Sequence, residues 1–559
     1  MKIALIKGLI FSLLTLFVIA CKKNDRYAHK EIMRVNLPDV SSLDPAFARS
    51  LDNVNATKQL FDGLVELDKD LNIVPSIAKN WEILDSGRVY RFFLNDSISF
   101  HPSKSLFGKD MIRYVKASDF VFSLNRLIDQ QLLSPGKWVM NVVDRKPNGK
   151  LKVFALDDHT LEFHLNKPFP PFLGILSMQY CSVIPPEAFD VEDYEFMDHP
   201  IGTGPFKFKY WKKNNKLILL KHQNYFQRNK AGKKLPFLDA LSVSFIKDQE
   251  VVFLNFLKDE LDLISGLKGT YKDELLTDQG ALKGVYHDRL QFLKFPYLNT
   301  EYIGFQLDSS SLEPPFYLGR LSLRKAICFA IDKEKMLQYL RNSIGTAASQ
   351  GFIPQGLSAF KYNASYGYTY NLDSSNYYLQ AFLEETALSL PNIDPIILGT
   401  TSEYLDICEY IQHQLTELGL SVKVEVNPPA TNNELIAFGK LPSFRKSWIA
   451  DYPNAENYLS LFLSKNFSPS GPNYTHFSSE TYDQLYDRAL VVESDSIRDQ
   501  IYYTMDSMIM AQAAVMPLFY DQQVHFLSNA ISGFSVNPMS HMMLKYAKKT
   551  DLEIGKAAQ

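Results

Sequence analysis

Residues 407–426, ICEYIQHQLTELGLSVKVEV, decide the fold class. Gly419 can end a helix, because glycine adopts the left-handed conformation of a helix C-terminal cap without strain. Residues 422–426 then alternate apolar and polar side chains, which is typical of a strand. Four apolar residues before the glycine recur at the spacing of one helix face: Ile407, Ile411, Leu415 and Leu418. A helix, a glycine and a strand in this order predict an α/β fold for the second half of the chain.

Similar patterns extend from this segment in both directions. Apolar residues at helical spacing predict an amphipathic helix over residues 323–331, and Asp332 can cap the next helix. Ser118 is placed to cap an earlier helix. Residues 517–520 predict a short final strand. Further strands are predicted at residues 32–37, 89–94, 241–246 and 302–307.

Length and composition limit the function classes. A chain of 559 residues is too long for one core and predicts about two to four domains. Its 30 Tyr and 39 Phe suit aromatic walls around a ligand, although core packing alone also explains them. The net charge of -3 and the lack of a long basic run argue against nucleic acid as a partner.

The first 20 residues indicate export. Lys2 and Lys7 precede an almost wholly apolar run that is too short for a typical membrane span, so residues 1–20 are predicted to be a signal peptide. Residues 18–21, VIAC, resemble a bacterial lipobox, which implies cleavage before Cys21 and its lipidation. The alternative is a plain signal followed by a free cysteine. Residues 21–30 are predicted to be a polar tether.

The remaining cysteines and the histidines do not indicate a disulfide or metal framework. Cys181, Cys328 and Cys408 are odd in number and far apart, and the last two suit core positions. His159 and His164 are not at the spacing that places two ligands on one helix face, so no metal site is predicted. We also find no nucleophile elbow, zincin helix or phosphate loop, and predict no cofactor.

The candidate site lies in residues 445–458, RKSWIADYPNAENY. Asp451 stands between apolar residues and aromatic rings, and Pro453 disfavours a helix through it. A partly dehydrated carboxylate needs a cation or several N–H donors. Asp451 therefore either forms an internal salt bridge or cap, or it binds the ammonium group of a ligand.

The order of nine short motifs carries a family resemblance. They are residues 43–45 (LDP), 60–64 (LFDGL), 75–81 (PSIAKNW), 117–124 (ASDFVFSL), 202–206 (GTGPF), 235–239 (LPFLD), 323–327 (LRKAI), 330–333 (AIDK) and 450–453 (ADYP). Over roughly residues 30–535 the chain resembles the bacterial extracellular solute-binding proteins of family 5, the peptide-binding lipoproteins of ABC importers. It departs from the family pattern at residues 94–97 and in the long basic loop 101–115.

The resemblance implies an α/β, periplasmic-binding-protein-like clamshell with two α/β lobes and an additional smaller lobe. Lobe I would be discontinuous, lobes II and III would each be continuous, and the crossings between lobes I and III would act as hinges. The predicted ranges are 31–66, 200–300 and 520–559 for lobe I, 67–199 for lobe II, and 301–519 for lobe III.

The resemblance also implies roles for individual residues. Asp451 would hold the α-ammonium of a peptide, with Trp448 and Tyr452 in the same site. Arg445, six residues before Asp451, would meet the ligand's C-terminal carboxylate. The backbone around Ser50, Leu51 and Asp52 would lie beside the ligand main chain.

The sequence thus predicts a receptor without enzymatic activity. We expect a monomer, lipid-anchored outside the cytoplasm on a bacterial membrane, that passes short peptides to an ABC permease and its ATPase subunits. One alternative is the same fold with another solute, such as a sugar or a metal chelate. A different class is an exported hydrolase, and a third is an adhesion or structural lipoprotein.

Overall fold

The structure is a computed structural model that describes residues 30–266, 269–312 and 314–550. The predicted signal peptide, Cys21 and the tether up to residue 29 lie outside the described residues. Among the helices of the described ranges, none combines the length and the apolar character needed to cross a bilayer.

Helices surround the sheets of this α/β chain. The helix Leu405–Glu417, the left-handed Gly419 (φ +89°) and the strand Val422–Val426 confirm the prediction for residues 407–426. The other α-helices of the described residues are Leu51–Leu60, Lys104–Phe107, Ala117–Leu127, Phe172–Leu176, Gln249–Leu257, Gly269–Leu275, Leu321–Ala330, Lys333–Arg341, Leu372–Thr386, Pro429–Ala437, Glu456–Leu459, Glu480–Val491 and Asp495–Ala511.

Two four-stranded sheets form the first part of the molecule. The N-terminal sheet has its first strand parallel to its neighbour and the others antiparallel, in the order Ile32–Asn36, Ala240–Ser244, Lys216–Lys221 and Phe206–Lys212. The middle sheet is antiparallel, in the order Ala78–Leu84, Val89–Leu94, Thr160–His164 and Val153–Ala155. A short hairpin pairs Val65–Leu67 with Ile73–Pro75.

The large sheet combines strands from the segments predicted as lobe I and lobe III. Its order is Leu263–Ser265, Val515–Ser528, Leu290–Phe305, Ser443–Ile449, Ile396–Thr400 and Val422–Val426, with Thr346–Ala347 paired to the second of these. The strands Leu290–Phe305 and Val515–Ser528 pair antiparallel along most of their length. Between the pairs Pro296–Gln522 and Thr300–Tyr520 their register shifts. The expected lobe boundaries at 300/301 and 519/520 therefore fall inside two paired strands, next to a bulge.

Most local predictions are confirmed, and two are wrong in detail. The helix at residue 117 is capped at Lys116, whose backbone N–H donates to Asp119 at 2.8 Å, so Ser118 is not its cap. The strand predicted at residues 517–520 runs over Val515–Ser528, because residues 522–528 pair with residues 290–296. It is not the final strand, since Ile531–Ser532 and Lys548–Lys549 follow it and pair antiparallel. Asp332 caps its helix as predicted, by accepting from the Lys335 backbone.

The largest hydrophobic cluster extends through the middle sheet and the large sheet, and two smaller clusters lie under the N-terminal sheet and the helices after it. Cys328 and Cys408 belong to the largest cluster and are buried free thiols, as predicted. Tyr452 belongs to it as well, so part of the candidate stretch is packed in the core.

Candidate ligand-binding site

Asp451 directly follows the end of a strand of the large sheet. The strand Ser443–Ile449 pairs antiparallel with residues 299–305. Just after the strand, the Ala450 N–H donates to the Leu298 carbonyl at 2.9 Å. Asn457 then orients the site: its Oδ1 accepts from Trp448 Nε1 and from the Asp451 backbone, each at 3.0 Å. Its Nδ2 donates to Asp451 Oδ2 at 3.3 Å.

The Asp451 carboxylate has no cation. Among the described residues it forms no ion pair, and the Asn457 amide is its one side-chain donor. Desolvation raises the pKa of the Asp451 carboxyl, and the bond from Asn457 opposes that rise. The side chain is nevertheless exposed to solvent. The Asp451 carboxylate is thus accessible to solvent although protein crowds it, and it has few donors for a partly dehydrated charge.

Tyr452 and Pro453 face lobe II rather than the solvent. The Tyr452 ring is buried, with its centroid 6.4 Å from Trp138 and 6.4 Å from Phe169. Its hydroxyl donates to Glu456, which also accepts from Tyr486. Tyr452 thus packs against the segment predicted as lobe II, and its hydroxyl is occupied within the protein.

Arg445 is bound inside the large sheet. Its guanidinium donates to Glu301 and lies over the Tyr404 ring, and both charged side chains are buried. Burial raises the pKa of the Glu301 carboxyl, and the charge of Arg445 opposes the rise. Arg445 Nε is buried and has no partner among the described residues. Because Nη2 donates to Glu301, Arg445 can reach a ligand carboxylate only through another guanidinium nitrogen or by leaving Glu301.

The largest cavity described is about 710 Å³ and is lined by residues from the segments predicted as lobes I and III. Leu51 and Asp52 line it, and Ser50 caps the helix that carries them by accepting from the Asn53 backbone at 3.2 Å. Asp52 accepts from the Asp39 backbone at 2.9 Å. Aromatic and charged side chains share the lining: Tyr297, Tyr404, Asp39, Glu403, Asp406, Asp521, Lys272 and Arg341.

The structure thus separates the predicted site residues into two groups. Asp451, Trp448 and Tyr452 stand together at Asn457, whereas Leu51 and Asp52 line the cavity and Arg445 adjoins it through Tyr404. Sequence reasoning missed Asn457, Glu456 and Glu301. The first two lie in the stretch already singled out, but their hydrogen-bond partners could not be assigned from sequence. Among the described residues no cluster of His, Cys, Asp and Glu is arranged to hold a metal ion.

Comparisons with known proteins agree with this architecture. A sequence model described as Bacterial extracellular solute-binding proteins, family 5 Middle, matches residues 72–470. Heme-binding protein A of Haemophilus influenzae is 25% identical over 505 residues, covering 87% of this chain and 86% of the relative. Periplasmic murein peptide-binding protein MppA of Escherichia coli is 24% identical over 530 residues, covering 91% of both.

Solved structures support the fold. The unliganded open form of the periplasmic murein tripeptide-binding protein MppA superposes with a TM-score of 0.77 at 22% identity, covering 93% of this chain and 98% of that one. The predicted α/β clamshell is confirmed. The chain belongs to the bacterial extracellular solute-binding proteins of family 5.

Proposed function

We propose that this protein captures short peptides outside the cytoplasm and delivers them to an ABC permease, with the peptide α-ammonium bound by Asp451. The observation that carries the proposal is the Asp451 carboxylate, which is crowded by protein yet has no cation among the described residues. Related proteins whose names state peptide binding, such as MppA and the dipeptide-binding protein DppE of Bacillus subtilis, support the choice of ligand.

The physics of the cleft favours an ammonium ligand. Two opposite charges 4 Å apart gain about 1 kcal/mol in water and about 4 kcal/mol at an effective dielectric near 20. Closure of a clamshell around the ligand moves the pair from the first environment towards the second. Asn457 holds Asp451 and the indole of Trp448 in fixed positions, so little side-chain entropy is lost on binding.

The cavity between lobes I and III can receive the rest of the peptide. A volume of about 710 Å³ exceeds what a single amino acid side chain fills, and its mixed polar and aromatic lining leaves room for water. Bridging waters broaden side-chain acceptance. In this arrangement Leu51 and Asp52 border the ligand, and Ser50 acts through the helix that it caps. Arg445 supports the wall through Tyr404 and Glu301, and its Nη2 is already bound to Glu301.

Attachment and partners complete the proposal. Lipidation at Cys21 would anchor the receptor at the membrane surface, since each buried methylene adds about 0.8 kcal/mol. The receptor itself would perform no chemistry, and ATP hydrolysis would belong to the importer's ATPase subunits.

The first experiment compares a free and a blocked N-terminus. Titration calorimetry of residues 22–559 with Ala-Ala-Ala and with N-acetyl-Ala-Ala-Ala should give binding of the first peptide only. Asp451→Ala should weaken binding of Ala-Ala-Ala by about 2–5 kcal/mol, the usual effect of breaking a desolvated charge pair. Asp288→Asn, which neutralises an exposed carboxylate of lobe I, is the matched control and should bind as the wild type does. Equal affinity for the two peptides would refute the role of Asp451.

A second experiment separates the other function classes. The purified protein is denatured, and released small molecules are identified by mass spectrometry. Release of short peptides supports the proposal. Release of one defined sugar, metal chelate or haem would leave the family assignment intact and identify a different ligand. Incubation with peptides followed by the same analysis distinguishes a hydrolase, because a receptor returns its ligand intact.

A further inference from the structure

Residues 200–238 form a basic segment. They contain ten Lys and Arg residues and no Asp or Glu, whereas the whole chain has 59 basic and 62 acidic residues. The segment supplies two antiparallel strands of the N-terminal sheet, Phe206–Lys212 and Lys216–Lys221, which form a hairpin. Because a protein surface usually mixes both signs of charge, a long stretch of one sign indicates a partner of the opposite sign.

The strand register collects much of this charge on one face of the sheet. Side chains alternate between the two faces of a strand. Leu217 and Leu219 belong to the hydrophobic cluster under the sheet, so the residues that alternate with them lie on the opposite, outer face. The hairpin residues and their cross-strand partners on this outer face include Lys216, Ile218, Leu220, Lys212, Tyr210, Lys207 and Arg34.

The outer face is accessible. Arg34, Tyr210 and Lys212 are exposed, and so is Lys209, which adjoins Tyr210 at a bulge of the edge strand. The other members of the outer face in the hairpin are half-buried. A partner at this face would therefore meet lysines interleaved with one aromatic and two aliphatic side chains.

The cations of the outer face have no counter-ion. Among the described residues, five of them form no ion pair within 4.0 Å: Arg34, Lys207, Lys209, Lys212 and Lys216. Lys213, at the turn of the hairpin, does pair with Asp198, at 2.9 Å.

Like charges are instead placed next to each other on this face. Lys212 and Lys216 stand directly opposite one another in the hairpin, which destabilises a strand pair. Burial lowers the pKa of the Lys216 ammonium, and the charge of Arg34 lowers it further. An anionic partner would relieve this repulsion.

The chain enters the N-terminal sheet beside the same lysines. The first strand begins at Ile32, in the same cross-strand row as Lys207. Ile32 is 11 positions after Cys21. A chain of this length spans at most about 40 Å when fully extended. A lipid at Cys21 would therefore keep this sheet close to the bilayer surface.

We propose that the outer face lies on an anionic phospholipid surface and orients the anchored receptor there. The lysines would meet lipid phosphates, and Tyr210 would sit at the headgroup level, where amphipathic rings are favoured. A lipid anchor alone leaves the protein free to turn, whereas a basic face adds a second contact and fixes which side meets the membrane. The inference goes beyond peptide capture and rests on the proposed anchor for the position of the membrane.

Sedimentation with lipid vesicles tests the proposal. The chain from residue 22 lacks the lipid and keeps every described residue. It is mixed with vesicles of phosphatidylcholine alone, or of equal parts phosphatidylcholine and phosphatidylglycerol. Binding to the anionic vesicles should be at least about tenfold tighter, since several basic residues near such a surface add their attractions. High salt should remove most of the difference, because ions screen the attraction.

Two double variants locate the contact. Lys209→Gln with Lys212→Gln removes two exposed charges of the outer face and should weaken binding to anionic vesicles by about tenfold or more. The matched control is Lys423→Gln with Lys440→Gln, which removes two exposed charges from the segment predicted as lobe III and should bind vesicles as the wild type does. Both variants should bind Ala-Ala-Ala with unchanged affinity.

Three results would overturn the inference: equal binding to the two kinds of vesicle, binding to neither, or unchanged vesicle binding by the Lys209 and Lys212 variant. In each case the proposed capture of peptides stands, because calorimetry with Ala-Ala-Ala tests it separately. A protein that binds anionic vesicles through this face and binds no peptide would keep the inference and lose the proposed function.

Discussion

Asp451 and Glu456 are five residues apart, yet their carboxyl groups differ in burial and in hydrogen bonding. Glu456 is 2% exposed and accepts from the hydroxyls of Tyr452 and Tyr486. Asp451 is exposed and receives one side-chain donor, the amide of Asn457. Desolvation raises the pKa of both groups. The buried Glu456 thus has two hydroxyl donors, whereas the exposed Asp451 has a single side-chain donor, the Asn457 amide.

Glu301 extends the comparison to a third carboxyl group. It is as buried as Glu456, but its main partner is the cation Arg445, with Asn299 Nδ2 donating at 3.1 Å. Both buried carboxylates therefore have partners within the chain: two hydroxyl groups for Glu456 and a guanidinium for Glu301. Four measurements test this contrast between Asp451 and the buried carboxylates.

The largest effect is expected for Glu301→Ala. Removing one partner leaves Arg445 buried without its counter-ion, so the free energy of unfolding should fall by about 3–5 kcal/mol in urea titrations. Replacing both Glu301 and Arg445 by Leu is the control and should lose less, because no uncompensated charge remains. A loss below about 1 kcal/mol for Glu301→Ala would show that the pair is hydrated in solution.

Glu456→Ala should have the next largest effect. It leaves the hydroxyls of Tyr452 and Tyr486 without their acceptor and opens a cavity, which together should reduce the free energy of unfolding by about 2–4 kcal/mol. Glu456→Gln keeps the volume and an acceptor oxygen and should lose less. If both variants were as stable as the wild type, Glu456 would not differ from Asp451 in the way described.

The affinity for a peptide should depend on pH through Asp451. An ammonium binds the ionised carboxylate, so below the pKa of free Asp451 each pH unit should cost up to about tenfold in affinity. Because desolvation raises that pKa, the decline begins at a higher pH than for an ordinary Asp. Above the pKa of Asp451 the affinity should stay constant until the peptide ammonium loses its proton at about pH 8. Calorimetry across pH should show an acid limb that Asp451→Asn lacks.

The smallest effect concerns the stability of the ligand-free protein. A carboxyl whose folded pKa is raised lowers stability when it is ionised, so Asp451→Asn should raise the thermal midpoint slightly at neutral pH. The gain should disappear as the pH falls through the raised folded value to the ordinary one. The side chain is exposed, so solvent screening keeps the gain small. A lowered midpoint at neutral pH would mean that the charge stabilises the folded protein.

Local patterns predicted the elements that local forces determine. The helix Leu405–Glu417, its glycine cap and the strand Val422–Val426 were predictable because periodicity and a left-handed residue are properties of adjacent positions. The strand Val515–Ser528 was underestimated because Asp521, Gln522 and Gln523 lack the apolar alternation of a strand. Gln522 and Gln523 pair with Pro296 and Phe295, which are more than 200 positions earlier.

Partners distant in sequence limited prediction of the site. Asp451 was identifiable from its flanking aromatic residues and the family pattern. Arg445 was identifiable as a cation, but its acceptor Glu301 is 144 positions away, and no local signal joins the two.

The register shift between the strands Leu290–Phe305 and Val515–Ser528 interrupts their ladder where the predicted lobes I and III meet. Residues 297–299 face Asp521 across the interrupted step, and a second shift follows Glu301. A twist at this step would break fewer bonds between the two strands than a twist within the ladder of residues 290–296. Asn299 Nδ2 donates to both Asp521, at 3.3 Å, and Glu301, at 3.1 Å. The interrupted step is thereby connected to the Glu301–Arg445 pair, whose guanidinium lies over the Tyr404 ring.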